Sequence, residues 1–268
     1  MRKAETITSA ANPLLKDVRR AIARGGLTSE GWCVAETFHL LEEALGGKCE
    51  VKVVLAAESA RPAAEAQLRR LAGVKLAVLP DALFQSVSGT RTAQGVMALV
   101  TPPAWTVEQL FGGCPLVMVL DGLQDPGNAG AVVRAAEAFG ATGVLFLKGV
   151  VSPYNPKTVR ASAGSLFRIP FVHGVDAAQA RAALRHHGVE LYAAVPARDA
   201  AAMRSIAEID LTGPCALIIG SEAHGVGPEL RSGATGVSIP TVGVESLNAA
   251  VAAGILLYEA RRQRARHP

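Results

Sequence analysis

What this chain has little of narrows its chemistry before anything else. Aromatic residues make up only 4 % of its 268 positions, and none recur in a pattern along strand-like stretches, which argues against an independent base-stacking platform for nucleic acid. The four cysteines, Cys33, Cys49, Cys114 and Cys215, stand far apart with no C-x-x-C pair. That speaks against a zinc knuckle and a disulfide framework alike, and leaves them as small buried apolar residues. No run of about 18 uncharged apolar residues occurs, so no membrane-spanning helix is expected. The beginning, MRKAETITSAANPLL, lacks the apolar centre of a secretion signal, and a cytoplasmic protein is expected. No metal-ligand spacing is present, so no metal is expected.

What is present is ample material for a core. Half of the residues are apolar, and the length predicts one or two domains. The formal charge of +4 is modest, so its distribution says more than its sum. Arg2, Lys3, Lys16, Arg19, Arg20 and Arg24 crowd the beginning, and Arg261, Arg262, Arg264 and Arg266 crowd the end. Both ends are suited to phosphate, although a basic helix end also complements the negative pole of the helix dipole.

Along the chain, Asn12-Pro13 reads as a cap and first-turn pair opening the helix LLKDVRRAIAR, closed by Gly25-Gly26. Helical spacing from Glu36 to Leu45, a buried strand VKVVLAA, a helix RPAAEAQLRRL and a strand KLAVLP follow. Asp81 is expected to cap a short helix before the strand QGVMALV. This small α/β unit spans 1–100, and the proline- and glycine-rich TPPAWTVEQLFGGCP supplies a linker over 101–114. From 115 to 268 a second series alternates LVMVLDG, GVLFL, RIPFV, ELYAAVP, CALIIG and GVSIP with alanine-rich helices. Continuous apolar strands separated by helices predict a mostly parallel sheet covered on both faces. Ligands of such sheets bind beyond the carboxyl ends of strands, and three loops there are unusual.

The first is LDGLQDPGNAGAVVRAAEAFG. Gly127 and Gly130 allow close backbone approach, Asn128 tolerates a turn or offers an amide, and Arg134 interrupts an otherwise apolar helix, leaning back toward that loop. Its bland alternative is an ion pair with Glu137. The G-x-G-x-x-G spacing of a dinucleotide site is absent. The second loop, IIGSEAHGVGPEL, places Glu222 almost directly after a buried strand, where a carboxylate is costly unless paired or used. His224 in that loop reads as simply exposed. The third, SIPTVGVESLNAAVAAGILLYEARRQR, runs from Ile239-Pro240 to Ser246, the expected cap of a helix apolar around nearly its whole circumference.

Together these loops carry N-x-G-x(3)-R, then G-S-E-x-x-G, then I-P-x-x-G-x-x-S-L-N. In that order they resemble the three signature motifs of the SpoU (TrmH-type) RNA 2′-O-ribose methyltransferases of the SPOUT superfamily. The similarity runs through YNPKTVRASAGSLFRIPF and covers the second domain. More loosely, ITSAANPLLKDVRRA and RTAQGVMALV resemble the ribosomal-protein-L30e-like substrate-binding domain that precedes the catalytic one in many members. Where relatives usually carry Glu-Gly, this chain has Glu36-Thr37.

The resemblance implies an α/β fold whose C-terminal domain is a deep trefoil knot, a homodimer, and S-adenosylmethionine as methyl donor, with S-adenosylhomocysteine as product. It implies donor binding largely through backbone groups, here at Gly220, Ile239 and Leu247, with Val195 and Pro196 nearby. It gives Arg134 the role of base assisted by Ser246, with Asn128, Glu222 and Asn248 orienting the groups. A guanidinium is effectively always protonated, so clamping the neighbouring phosphate and the developing alkoxide is an equally sound role for Arg134. The expected RNA contacts are Lys16, Arg19, Arg20 and Arg91 in the first domain and Arg160 and Ser162 in the second. Ribosomal RNA is the expected substrate. A transfer RNA enzyme and a non-catalytic RNA-binding or ribosome-assembly factor of the same fold are the alternatives.

Overall fold

The computed structural model describes residues 4–69, 73–90, 92–196 and 203–265. They form two compact units. One comprises the chain up to Ala104 together with Tyr154–Arg168, and the other Trp105–Pro153 with the chain from Ile169 onward.

The first unit holds β1 (Glu5–Thr6), α1 (Pro13–Arg24), β2 (Cys33–Glu36), α2 (Phe38–Gly46), β3 (Glu50–Ala57), α3 (Arg61–Leu68), β4 (Lys75–Leu79), α4 (Asp81–Val87) and β5 (Val96–Thr101). Its sheet runs β1-β4-β3-β5-β2, with β5 antiparallel to both neighbours. The predicted start of α1 is present: the Asn12 side chain accepts from the Leu14 amide and Pro13 stands in the first turn. The helix stops where Gly25 turns left-handed at φ 64°. Leu15 and Val18 on its inner face join Leu55, Leu79, Phe84, Met97 and Leu99 in the core. Asp81 is the first residue of α4 rather than its cap, a position held by Pro80.

Strand β2 is absent from the sequence reading, which took Glu36 as the start of a helix. All four of its residues, Cys-Val-Ala-Glu, are buried. A strand that ends in a buried carboxylate is recognisable only through the tertiary partners that satisfy it. Those partners come partly from Tyr154–Arg168, which sequence similarity alone had grouped with the residues after 115. Within this segment lies α6 (Pro156–Ala161). Arg160 Nη1 lies 3.2 Å from Glu36 Oε2, and Arg168 pairs with Glu43. Phe167 is buried there and its carbonyl accepts from the Lys48 amide.

The second unit holds β6 (Leu116–Leu120), α5 (Pro126–Ala138), β7 (Gly143–Leu147), β8 (Phe171–Val175), α7 (Ala177–His186), β9 (Glu190–Ala194), β10 (Met203–Ser205), β11 (Cys215–Ile219), α8 (Pro228–Arg231), β12 (Thr235–Ser238) and α9 (Ala249–Arg264). Its seven strands run β10-β12-β9-β11-β6-β7-β8, every neighbouring pair parallel. Strands β6, β7 and β11 are buried at every residue, as a sheet covered on both faces requires. The apolar pattern predicted this sheet.

Cys33 and Cys215 lie inside their units, and burial pushes their thiols up to about 12 and about 11. Cys114, by contrast, is exposed rather than buried. No helix among the described residues is long and apolar enough to cross a membrane.

The topology singles out one crevice. From β6 the chain proceeds to β7 on one side, whereas from β11 it proceeds to β12 on the other, so the loops leaving these adjacent strands part in opposite directions. Such a switch point is where open parallel sheets bind their ligands.

Candidate active site

Four neighbouring strands, β12, β9, β11 and β6, send their carboxyl-end loops to this crevice. After β6 comes Asp121, whose Oδ2 accepts from the Gly227 amide at 2.7 Å and so ties this loop to the one after β11. Asp125 then caps α5, accepting from the Asn128 amide at 2.7 Å. These two carboxylates fix where Asn128 stands.

After β11 the chain doubles back sharply. Ser221 and Gly225 exchange backbone hydrogen bonds of 3.1 and 2.8 Å, and Gly225 takes φ +66° to do so. A Cβ on Gly220 would overlap the backbone of Gly225, so glycine is required there by the approach of two strands of the same loop. The tight turn presents Glu222 outward.

Three side chains then join the three loops. Asn128 Nδ2 donates to Glu222 Oε1 at 2.7 Å, and Asn248 Nδ2 donates to Asn128 Oδ1 at 3.0 Å. Asn248 also caps α9 through its Oδ1, which accepts from the Ala250 and Val251 amides. This corrects the expectation that Ser246 is the cap, and the shift of two residues leaves the Ser246 hydroxyl uncommitted to the helix. Asn128 and Asn248 each use both ends of the amide, which fixes their orientation.

Beside this chain lies a pocket of about 230 Å³. Gly220, Ile239, Leu247, Val195 and Pro196 all line it, and so do Glu222 and Ser246. Arg134 stands apart. It is exposed on α5, and among the described residues no hydrogen bond or ion pair holds it, so the ion pair with Glu137 is not formed. His224 is exposed at the rim, its amide donating to Ser221 Oγ.

The expected RNA contacts divide. Lys16 is exposed on α1. Arg20 is exposed beside Asp17, at 3.9 Å. Arg19 is occupied by Ser86 and the Ala10 carbonyl. Arg160 is committed to Glu36, and Ser162 is fully buried with its hydroxyl donating to the Val159 carbonyl at 2.8 Å. The last two therefore serve the interior of the first unit, and Ser162 offers no surface to an RNA. Arg91 lies outside the described residues.

Sequence reasoning missed Asp121, although the signal was available. A carboxylate directly after a buried strand drew attention to Glu222, and Asp121 follows Leu120 in the same way. It also missed Thr241, Glu245 and Arg231, which line the pocket but sit in stretches without a distinctive spacing.

Known proteins are similar to this chain along most of its length. Residues 115–258 match the SpoU rRNA Methylase family, and residues 12–98 match the MRM3-like substrate binding domain. An uncharacterised tRNA/rRNA methyltransferase of Synechocystis is 33 % identical over 96 % of this chain and 94 % of its own. The Bacillus subtilis 23S rRNA (guanosine(2553)-2′-O)-methyltransferase RlmP is 32 % identical over 95 % of this chain and 98 % of its own. Among solved structures, the AdoMet-bound rRNA methyltransferase of Sinorhizobium meliloti superposes with a TM-score of 0.82 at 27 % identity, covering 97 % of this chain and 98 % of that one. The fold is that of the SPOUT methyltransferases, and the chain belongs to the SpoU rRNA methylase family.

Proposed function

We propose that this protein transfers a methyl group from S-adenosylmethionine to the 2′-hydroxyl of a ribose in ribosomal RNA, in the cytoplasm and as a homodimer. The observation that carries the reading is the bonded chain Glu222–Asn128–Asn248, which brings three loops distant in sequence to the edge of one pocket. RlmP, similar over nearly the whole length, bears the name of a 23S rRNA 2′-O-methyltransferase, and the S. meliloti structure is described as AdoMet-bound.

The pocket suits such a donor. Val195, Ile239 and Leu247 give it apolar walls for an adenine-sized ring, and the carboxylates Glu222 and Glu245 outnumber Arg231 in its lining, a balance compatible with a cationic donor. Backbone groups at Gly220, Ile239 and Leu247 would hold it, with Val195 and Pro196 beside them. When bound, the donor supplies an electrophilic methyl group. Everything else falls to side chains of the chain. Asn128 and Asn248 orient Glu222, Ser246 offers a hydroxyl at the pocket edge, and Arg134 meets the ribose as base or as clamp of phosphate and alkoxide.

Helix α9 supports the dimer. Val251, Ile255 and Tyr258, spaced for one helical face, are 51 %, 36 % and 56 % exposed, an apolar stripe that a second copy would cover. The trefoil knot belongs to the same reading.

The deciding experiment maps 2′-O-methyl marks in ribosomal and transfer RNA from cells with and without the gene, then restores the missing mark in vitro with purified protein and donor. Loss and recovery of one ribosomal mark is the expected result. An unchanged map, together with no donor binding by calorimetry, would overturn the reading.

A further inference from the structure

The first unit contains a second cavity, of about 430 Å³, at the carboxyl ends of β3 and β4. Its floor is apolar, formed by Ala57, Ala93 and the buried Phe84. Its rim is polar, and the rim groups are already oriented. Ser59 Oγ donates to Asp81 Oδ1, leaving Asp81 Oδ2 an acceptor without a partner among the described residues. Gln94 Oε1 accepts from the Phe38 amide at 3.0 Å. Its Nε2 is therefore the free end, with two donors and no partner among the described residues.

The backbone around these groups is closely packed. Gly95, next to Gln94, takes φ +75°, and a Cβ there would press on Ala60 and Ala57. Ser88 and Thr90 nearby are held from two directions. Ser88 and Thr90 donate to the buried Glu36 carboxylate, and Gln85 Nε2 donates to the Thr90 carbonyl at 3.1 Å.

We infer that this pocket receives one unpaired base of the RNA and reads it along its Watson–Crick edge. Apolar groups at the bottom suit contact with a base, and a free acceptor and a free donor on the rim suit an edge that offers one of each. Sequence-specific RNA recognition works on such splayed-out bases. The charge supports base reading over backbone binding: a surface evolved only to hold phosphate gains nothing from an exposed aspartate. The inference rests on RNA being the substrate and adds where, outside the methyl-transfer pocket, the RNA is recognised.

The test is built on that charge. Binding of short labelled single-stranded oligo(A), oligo(C) and oligo(U) to the full-length protein is followed by fluorescence anisotropy at fixed salt. Asp81→Asn keeps an acceptor for Ser59 and removes one negative charge, so binding driven by phosphate should tighten. The pocket predicts the reverse, about a tenfold loss for the preferred base, the scale of one base-edge contact. Gln94→Met, which removes the free donor together with the acceptor of the Phe38 amide and adds no charge, should weaken the same oligonucleotide.

Unchanged or tighter binding by Asp81→Asn overturns the inference, and so does a wild type that binds all three alike. Calorimetry with S-adenosylmethionine separates the two levels of failure. If the donor binds and the base preference is missing, the pocket falls and the proposed function stands. If neither the donor nor any RNA binds, both fall.

Discussion

Glu36 and Glu222 make an instructive pair, one in each unit. Glu36 ends β2, is 1 % exposed, and is held by Ser88, Thr90 and Arg160. Glu222 follows β11 by a few residues, is exposed, and is held at Oε1 by Asn128 while its other oxygen has no partner among the described residues. The same side chain in comparable places is thus fully spent in one region and half spent in the other. A buried carboxylate whose lone pairs are all satisfied contributes to order, whereas an exposed one kept in place by amides retains capacity for a ligand. Substitutions around Glu36 should therefore register in unfolding, and substitutions around Glu222 in turnover.

The sharpest contrast comes from two arginines. Arg134→Ala removes a side chain that supports nothing in the fold, so urea unfolding should not change, while methyl transfer should fall by about 10²–10³-fold, the scale of losing one donor to a developing oxyanion. A mutant with nearly full activity would mean that Arg134 is idle surface. The pH dependence of the wild-type rate then separates its two roles. A base titrating near neutrality gives a rising limb, and a clamp that stays protonated gives none.

Arg160→Met is the counterpart. It leaves Glu36 buried with only two hydroxyl donors, and breaking a buried pair from one side costs about 3–5 kcal/mol. We expect the lower end, about 3 kcal/mol, because those hydroxyls and the partial exposure of Arg160 soften the loss. The midpoint of urea unfolding should drop accordingly, and donor affinity should not. A change in donor affinity without a change in midpoint would dissolve the division between the two regions.

A smaller effect is expected at Glu222. Glu222→Gln keeps an oxygen for Asn128 but removes the charge, so the fold should hold while donor binding weakens by about tenfold, the order of one charge-assisted contact in a partly open site. Unaltered donor affinity by calorimetry would place the charge of Glu222 outside donor binding.

How much of this was legible in the sequence follows from where each group gets its partners. Strands such as Leu116–Leu120 and Cys215–Ile219 announce themselves because burial on both faces demands unbroken apolar runs. The three loops were found because glycine, a lone arginine and a misplaced carboxylate are each costly and therefore informative. Hidden were features settled by tertiary partners: the strand Cys33–Glu36, the return of Tyr154–Arg168 to the first unit, the choice of Asn248 over Ser246 as cap, and the burial of Ser162. Local propensity permits several outcomes at these places, and contacts more than a hundred residues away, such as Arg160 with Glu36 or Asn248 with Asn128, help select one.

Thr37 shows how far a single departure from the family pattern can be followed. Thr37 stands where the resemblance leads one to expect glycine, and it has φ 145° and ψ 158°, a region that is essentially glycine's alone and costs other residues about 1–3 kcal/mol. The threonine recovers part of this by capping α2, its Oγ1 accepting from the Leu40 amide at 3.1 Å. Thr37→Gly relieves the strain, loses only about a few tenths of a kcal/mol of capping, and gives the unfolded chain about 0.4–1 kcal/mol more entropy. With the middle of each range the balance is a gain of about 1 kcal/mol, seen as a higher urea midpoint with unchanged slope. Thr37→Ala keeps the strain and forfeits the cap, so it should lose about 1 kcal/mol. The opposite signs are the point, because a cap without strain predicts that both substitutions destabilise. If glycine lowers the midpoint as alanine does, Thr37 is a helix cap and nothing more.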